Sequence, residues 1–184
     1  MESGYKTGKV LISAREIQNR VDALADKIAS GTRGRELLVV GILNGAVIFL
    51  SDLVRRMPLE LDVKIDFMSI SSYGNAVKSS GVVRILKDIG SDIAGKDVLI
   101  VEDIIDTGLT LSYLLNILNA RRPASLRTCV LLDKSEKREI PVTIDYCGFS
   151  IPDVFVVGYG LDCGGSLRHL SDIHALDAID AIDG

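Results

Sequence analysis

Several familiar sequence signatures are missing from this 184-residue chain. Its three cysteines are widely spaced and include no CxxC pair, so they indicate neither a disulfide framework nor a zinc site. The longest apolar runs have the length of strands and fall far short of the roughly 20 residues that a membrane helix needs. The first residues lack the apolar core of a signal peptide. We therefore expect no membrane association and a cytoplasmic protein.

Two further absences concern ligands. The formal net charge of -4 argues against a nucleic-acid partner, because phosphate backbones are normally bound by a basic surface. The chain has no GxxxxGK[ST] sequence, so a P-loop for nucleoside triphosphates is not expected. Low-complexity tracts are also absent, and 47% of the residues are hydrophobic, which is typical of a globular protein. At this length we expect a single domain over residues 1–184.

Apolar segments alternate with turn and helix signals in the βαβ manner. Ser13 and Glu16 form a capping box, and the apolar spacing behind them predicts a helix over about 13–30 that ends at Gly31. The remaining pattern predicts helices over 46–57 and 109–121, and strands over 37–42, 61–67, 82–86, 98–101, 126–132 and 154–157. Strands that are apolar on both faces and separated by helices favour an α/β fold, with a mostly parallel central sheet flanked by helices.

The segment VLIVEDIIDTGLT, residues 98–110, joins a buried strand to three carboxylates and a glycine turn. Ligands of open parallel sheets bind where loops leave the carboxyl ends of the strands. Residues 106–110 (DTGLT) offer a glycine, two hydroxyls and backbone N–H groups at a helix start, which suit one phosphate group. Glu102 and Asp103 could accept hydrogen bonds from a vicinal diol or meet hydrated magnesium. Together they suit a ribose 5-phosphate, and the alternative is a solvated acidic loop.

This segment resembles the phosphoribosyl-diphosphate motif of the type I phosphoribosyltransferases, in the form found in their hypoxanthine-guanine members. LLDK at 131–134, IPDVFVVGYGLD at 151–162 and Arg168 follow in the order and approximate spacing of that family. The resemblance extends from about residue 37 to 170. It implies the type I phosphoribosyltransferase fold, with a small base-binding hood from about 134 to 184 and a flexible lid loop over about 71–81.

For the sugar and the chemical step, the resemblance implies that Asp106 is the catalytic acid/base residue facing N7 of a purine. Glu102 and Asp103 would hold the ribose hydroxyls and help to bind the metal. The ribose 5-phosphate would lie on the DTGLT segment, whose residues are Asp106, Thr107, Gly108, Leu109 and Thr110.

For the base, Lys134 would donate to the exocyclic O6, Phe155 would stack on the ring and the main chain of Val156 would contact its edge. Asp162 would border the purine and anchor the metal, and Arg168 would contact the diphosphate. Three of these residues have an ordinary alternative: Lys134 could be a surface lysine, Phe155 a core residue and Asp162 an aspartate that caps a turn. Their occurrence together with the acidic strand end favours the functional assignment.

The loop containing Asn44 and Gly45 corresponds to the diphosphate loop of the family, where relatives often carry a lysine or arginine at the position of Asn44. The contact there is largely through backbone amides, sometimes with a cis peptide, and the sequence does not show whether the Leu43-Asn44 or Asn44-Gly45 bond is cis. Ser72 and Tyr73 match the Ser-Tyr pair of the family's lid, which would exclude water from the reaction centre.

The activity implied is purine salvage. The 5-phosphoribosyl group would pass from phosphoribosyl diphosphate to N9 of hypoxanthine and guanine, giving IMP and GMP plus diphosphate, with Mg²⁺ as cofactor. Relatives are usually dimers or tetramers, so we expect a homodimer or homotetramer. A xanthine-preferring or other purine enzyme is the alternative, and a non-catalytic nucleotide-sensing regulator is a second. The sequence leaves open the choice among these purines, the oligomer size and the role of residues 171–184.

Overall fold

The computed structural model describes residues 8–32, 36–72 and 83–176, and these residues form two β-sheets with helices packed on the larger one. The helices are α1 (Ala14–Ser30), α2 (Val47–Val54) and α3 (Leu109–Asn119), with a 3-10 turn at Ser135–Lys137. The strands are β1 (Val10–Ile12), β2 (Glu36–Leu43), β3 (Asp62–Ser72), β4 (Val83–Lys87), β5 (Asp97–Ile105), β6 (Ser125–Asp133), β7 (Tyr146–Ser150), β8 (Phe155–Val157) and β9 (Ile173–Leu176).

The larger sheet has the strand order β4-β3-β2-β5-β6-β7 in the described part of the chain. The β3-β4 pair is antiparallel, and the other neighbours are parallel. Helices α1 and α2 contribute to the core on one face, where Ile17 and Phe49 share a cluster with Val39. Helix α3 covers the other face, where Leu114 shares a cluster with Val40. The predicted α/β fold with a mostly parallel, doubly covered sheet is confirmed.

Helix α1 forms as the capping box predicts. The Ser13 side chain accepts from the Glu16 backbone N–H, and Glu16 accepts from the Ser13 backbone N–H. Ile17, Val21, Leu24 and Ile28 are buried at helical spacing, and the helix ends at Gly31. Fully burying each such side chain contributes about 1.5–3 kcal/mol.

Some predicted boundaries are wrong. Strand β5 runs to Ile105 instead of ending at Val101, because the backbone of Glu102 and Ile104 continues to pair with β6. Helix α2 ends at Val54, three residues before the predicted end at Met57. Ile65 on β3 is half-exposed, whereas Leu61 just before this strand is buried.

The smaller sheet has the order β1-β9-β8 and is antiparallel. The strand predicted over 154–157 therefore exists as β8 but belongs to this sheet and not to the parallel one. The described part of the segment after residue 171 supplies β9, whose role the sequence had left open. Strand β1 brings the start of the described chain to the same place. No helix in the described ranges is long and apolar enough to cross a membrane.

Candidate active site

The glycine turn of the DTGLT segment has the geometry expected of a phosphate-binding helix start. Gly108 has φ +86° at the N-cap of α3, and a Cβ there would lie 2.6 Å from the Ile140 carbonyl oxygen, so only glycine fits. Thr107 Oγ1 accepts the Leu109 N–H at 3.3 Å. A cavity of about 100 Å³ lies against this turn, and its lining includes Glu102, Asp106, Thr107, Gly108 and Thr110. Helix N-termini of this kind favour anions.

Glu102 projects into this cavity as a buried carboxylate. It is only 8% exposed, and its Oε2 has no hydrogen-bond partner among the described residues. Burial raises the pKa of the Glu102 carboxyl well above its usual value, and the neighbouring Asp103 charge raises it further. A buried polar atom without a partner is costly, and such atoms are frequent at ligand sites.

Asp103 points to the opposite face of β5, because neighbouring side chains of a strand alternate. There it lies against Gly45, where a Cβ would be only 1.6 Å from Asp103 Oδ2. Burial raises the pKa of Asp103 to about 6, although backbone N–H groups and the Arg168 charge oppose this shift. The two carboxylates expected to hold one sugar thus belong to two sides of the same strand end.

The Asn44-Gly45 loop lies between Asp103 and a second glycine-rich loop. The Leu43-Asn44 peptide bond is cis, which answers the question that the sequence left open. Asn44 is exposed, whereas Gly45 is buried. A Cβ on Gly160 would lie 2.1 Å from the Gly45 carbonyl oxygen, so the two loops meet through their backbones.

Asp162 and Arg168 are paired on this second loop. Arg168 Nη2 lies 2.7 Å from Asp162 Oδ1, and Arg168 Nη1 donates to the Gly160 carbonyl at 2.6 Å. Asp162 Oδ2 accepts the Gly165 N–H at 2.7 Å. This aspartate therefore caps a turn, as in the alternative given for it above. The other oxygen, Oδ1, is held by the Arg168 guanidinium, next to the Asn44-Gly45 loop.

Lys134 and Asp106 form an ion pair at the carboxyl end of the sheet. Lys134 is 5% exposed, so it is not a surface lysine, and its Nζ lies 3.4 Å from Asp106 Oδ1. The backbone N–H of Lys134 donates to the Ile105 carbonyl at 3.0 Å, which places the start of the Lys134 side chain beside the glycine turn. Phe155 is 43% exposed and is therefore not a core residue, whereas Val156 beside it is buried.

Known proteins identify the family to which this site belongs. The model of the phosphoribosyl transferase domain matches residues 12–163, which is most of the chain. The chain belongs to the phosphoribosyltransferase family.

Relatives with this fold match over nearly their whole length. A hypoxanthine-guanine phosphoribosyltransferase of Mycobacterium avium is 51% identical over 174 residues, covering 91% of this chain and 85% of the relative. One of Aquifex aeolicus is 45% identical, with 92% and 94% covered. A solved structure of a hypoxanthine-guanine phosphoribosyltransferase from Bacillus anthracis superposes with a TM-score of 0.89 at 44% identity, covering 94% of this chain and 100% of that one.

The predicted lid of this phosphoribosyltransferase is described only at its start. Residues 71 and 72 end strand β3, where they pair with residues 84 and 83 of β4. Tyr73 and the rest of the predicted lid, 74–81, lie outside the described residues. Their role as a lid stays a prediction.

The described residues contain no group of three or more His, Cys, Asp or Glu side chains arranged to hold a metal ion. Magnesium does not require one, because it is commonly bound by one or two carboxylates together with water and substrate phosphates. Asp103 fits this chemistry, since its buried oxygens lie close enough to Asp162 and Arg168 for their charges to act on its pKa. Glu102 offers an unpartnered hard oxygen on the other side of the strand.

Sequence reasoning gave no role to Asp153, although it lies inside the IPDVFVVGYGLD segment. Its Oδ1 is 3.7 Å from Lys134 Nζ and 2.9 Å from Lys137 Nζ. Lys134 therefore lies between two carboxylates, one of them Asp106. The sequence carries a weak signal of this, because Asp153 immediately precedes the residues expected to bind the base.

Proposed function

We propose that this phosphoribosyltransferase transfers the 5-phosphoribosyl group from phosphoribosyl diphosphate to N9 of hypoxanthine and guanine, producing IMP or GMP and diphosphate. The relatives that it matches over most of their length carry that name. The observation that carries the proposal is the ion pair between the buried Lys134 and the half-exposed Asp106, next to the phosphate-binding turn.

This pair matches one edge of a 6-oxopurine. Lys134 is a donor without acceptor capacity and Asp106 is an acceptor, and the two lie 3.4 Å apart. On hypoxanthine and guanine the O6 acceptor and the N7 position lie side by side, so O6 can accept from Lys134 while Asp106 receives the N7 proton. The 6-amino group of adenine is a donor, so it would place a donor against the buried Lys134 ammonium and could not accept its hydrogen bond. The exposed ring of Phe155 is available to stack on the base.

The sugar and its phosphates are assigned to the remaining segments. Residues 106–110 hold the 5-phosphate at the start of α3, and Glu102 and Asp103 accept hydrogen bonds from the ribose hydroxyls. The backbone around Asn44 and Gly45, together with Arg168, holds the diphosphate. The clustering of these segments at one end of the sheet supports the assignment.

Asp162, Glu102 and Asp103 would hold Mg²⁺. When bound, the ion neutralises the charge that develops on the departing diphosphate. A bound cation would give the buried Glu102 oxygen a partner, and its charge would lower the raised pKa of Asp103. Arg168 supplies a second positive charge beside the diphosphate.

In the reaction itself Asp106 accepts the N7 proton as N9 bonds to the anomeric carbon and the bond from that carbon to the diphosphate oxygen breaks, through a transition state that resembles an oxocarbenium ion. Lys134 must exchange its contact with Asp106 for the O6 atom when the base enters. Water has to be excluded from the cation-like sugar, and the segment 71–81 with Ser72 and Tyr73 would close over it.

The decisive experiment is a comparison of four bases. Initial rates are measured with hypoxanthine, guanine, xanthine and adenine in the presence of phosphoribosyl diphosphate and Mg²⁺. We expect turnover of hypoxanthine and guanine, and only background with adenine. Strong adenine turnover with little hypoxanthine turnover would refute the proposal, and a dominant rate with xanthine would reassign the substrate.

The enzyme is further proposed to act in the cytoplasm as a homodimer or homotetramer. Sedimentation velocity at micromolar concentration tests this, and a monomer would contradict it.

A further inference from the structure

Tyr159 makes a buried hydrogen bond that no role given above uses. The side chain is only 3% exposed, and its hydroxyl donates to Asp52 Oδ2 at 2.7 Å. Burial and the Asp52 carboxylate both raise the pKa of the Tyr159 phenol, so it remains a donor throughout the working pH range. Burial opposes ionisation of Asp52, but hydrogen bonds from Tyr159, Arg55 and Gln18 outweigh it and lower the pKa of Asp52. A neutral donor therefore meets a charged acceptor.

The backbone at Tyr159 is held in a conformation that tyrosine seldom adopts. Gly158, Tyr159 and Gly160 follow one another with φ values of +99°, +51° and +103°. Left-handed φ is easy for glycine, but it is unfavourable for a bulky residue and persists only when the surroundings impose it. Here the Tyr159 N–H donates to the Leu170 carbonyl at 2.8 Å, and the side chain is anchored on Asp52.

Asp52 lies on α2, and α2 begins where the Asn44-Gly45 loop ends. Ala46 is the N-cap of this helix, so the helix fixes the position of Gly45. Gly160 touches the Gly45 carbonyl and receives a hydrogen bond from Arg168. The Tyr159-Asp52 bond thus ties the loop that carries Asp162 and Arg168 to the same helix that carries the other loop.

We propose that Tyr159 is a positioning residue for the diphosphate: its hydrogen bond to Asp52 sets the separation between the Asn44-Gly45 loop and the Asp162-Arg168 pair. The inference rests on the proposed function of these two loops and adds a residue that touches neither the substrate nor the metal. Lys134 and Phe155 are not part of this hydrogen bond, so purine binding is expected to change less than diphosphate binding when it is lost.

The test is Tyr159→Phe, which keeps the ring and removes the hydroxyl. We expect the KM for phosphoribosyl diphosphate and the inhibition constant of diphosphate to rise about 3- to 10-fold, the usual effect of losing one hydrogen bond. The KM for hypoxanthine is expected to stay within about 2-fold. A purely structural role would lower the thermal midpoint without separating the two KM values.

Gln18→Leu is the matched control. Gln18 Nε2 donates to the same Asp52 Oδ2 at 3.2 Å, but Gln18 lies on α1 and not on either diphosphate loop; its Oε1 also accepts from Arg56 Nη2, just beyond the C-terminal end of α2. This variant is expected to leave both KM values unchanged. Asp52→Asn retains an oxygen that can accept from Tyr159 and should show a smaller rise than Tyr159→Phe; if Tyr159→Phe does not fold, Asp52→Leu carries the same test.

The outcomes separate the inference from the proposed function. A selective rise for phosphoribosyl diphosphate in Tyr159→Phe but not in Gln18→Leu supports the positioning role. If Arg168→Ala raises that KM and Tyr159→Phe does not, the positioning role is refuted while the diphosphate site stands. If neither change affects it, the assignment of the diphosphate to these loops is itself wrong.

Discussion

Replacing the Asp103 carboxyl with an amide is expected to make the ligand-free protein more stable at neutral pH. Burial raises the folded-state pKa of Asp103 from 3.8 to about 6. Between these values the folded protein binds a proton that the unfolded chain releases, so stability from this group is present at low pH and is lost as pH rises through 6. At about 1.4 kcal/mol for each tenfold change in proton affinity, the loss is about 3 kcal/mol above pH 7.

Asp103→Asn removes this pH-dependent penalty. The amide oxygen can still accept the Ile104 N–H, which lies 2.9 Å from Asp103 Oδ1. Because about 1 kcal/mol of the penalty is already present at pH 4.5, the advantage of the variant should grow by about 2 kcal/mol between pH 4.5 and 7.5. The variant is also expected to lose activity, as is common where a destabilising charge serves a site.

Urea unfolding followed by circular dichroism at pH 4.5, 6.0 and 7.5 measures this effect in the absence of ligands and divalent cations. Asp26→Asn, at an exposed position of α1, serves as the control for a change of one charge. The reasoning is refuted if Asp103→Asn is less stable than the parent protein at pH 7.5, or if its advantage does not change with pH.

Three further changes test the site. Asp106→Asn should reduce kcat on the order of 10²–10⁴-fold while the KM for phosphoribosyl diphosphate changes little, and a kcat near that of the parent would move the acid/base role elsewhere. Gly108→Ala should cost about 1–3 kcal/mol in urea unfolding, because φ is +86° and the added Cβ meets Ile140; unchanged stability contradicts this. Asp153→Asn leaves Lys134 paired with Asp106 alone, so steady-state kinetics should show a hypoxanthine KM about 2- to 5-fold higher; no change would mean that Asp153 does not act on Lys134.

The parts of the fold that could be predicted are those with strong local signals. Helix α1 follows from its capping box and spacing, and β5 from a run of four buried aliphatic residues. The smaller sheet could not be predicted, because β1, β8 and β9 have only three or four residues each and exist through pairing between distant segments. Strand β7, with the sequence YCGFS, lacks a clear alternation of apolar and polar residues, so its sequence does not predict a strand.

The site shows the same division. The DTGLT turn could be located from a glycine and hydroxyls at a helix start. The sequence places Glu102 and Asp103 just beyond a strand that ends at Val101, yet their backbones are part of β5. The burial of Lys134 and the hydrogen bond of Tyr159 depend on which segments pack together, and no local pattern reports that.

The contact of Gly45 with Asp103 on one side and Gly160 on the other also bears on substrate selection. The Gly45 backbone meets the short Asp103 carboxylate on one side and the Gly160 backbone on the other, so two backbones and one carboxylate set the distance from the sugar side of the site to the diphosphate side. The enzyme should therefore discriminate by the length of the link between sugar and diphosphate: an analogue with one extra methylene in that link should bind poorly even though its charges are unchanged.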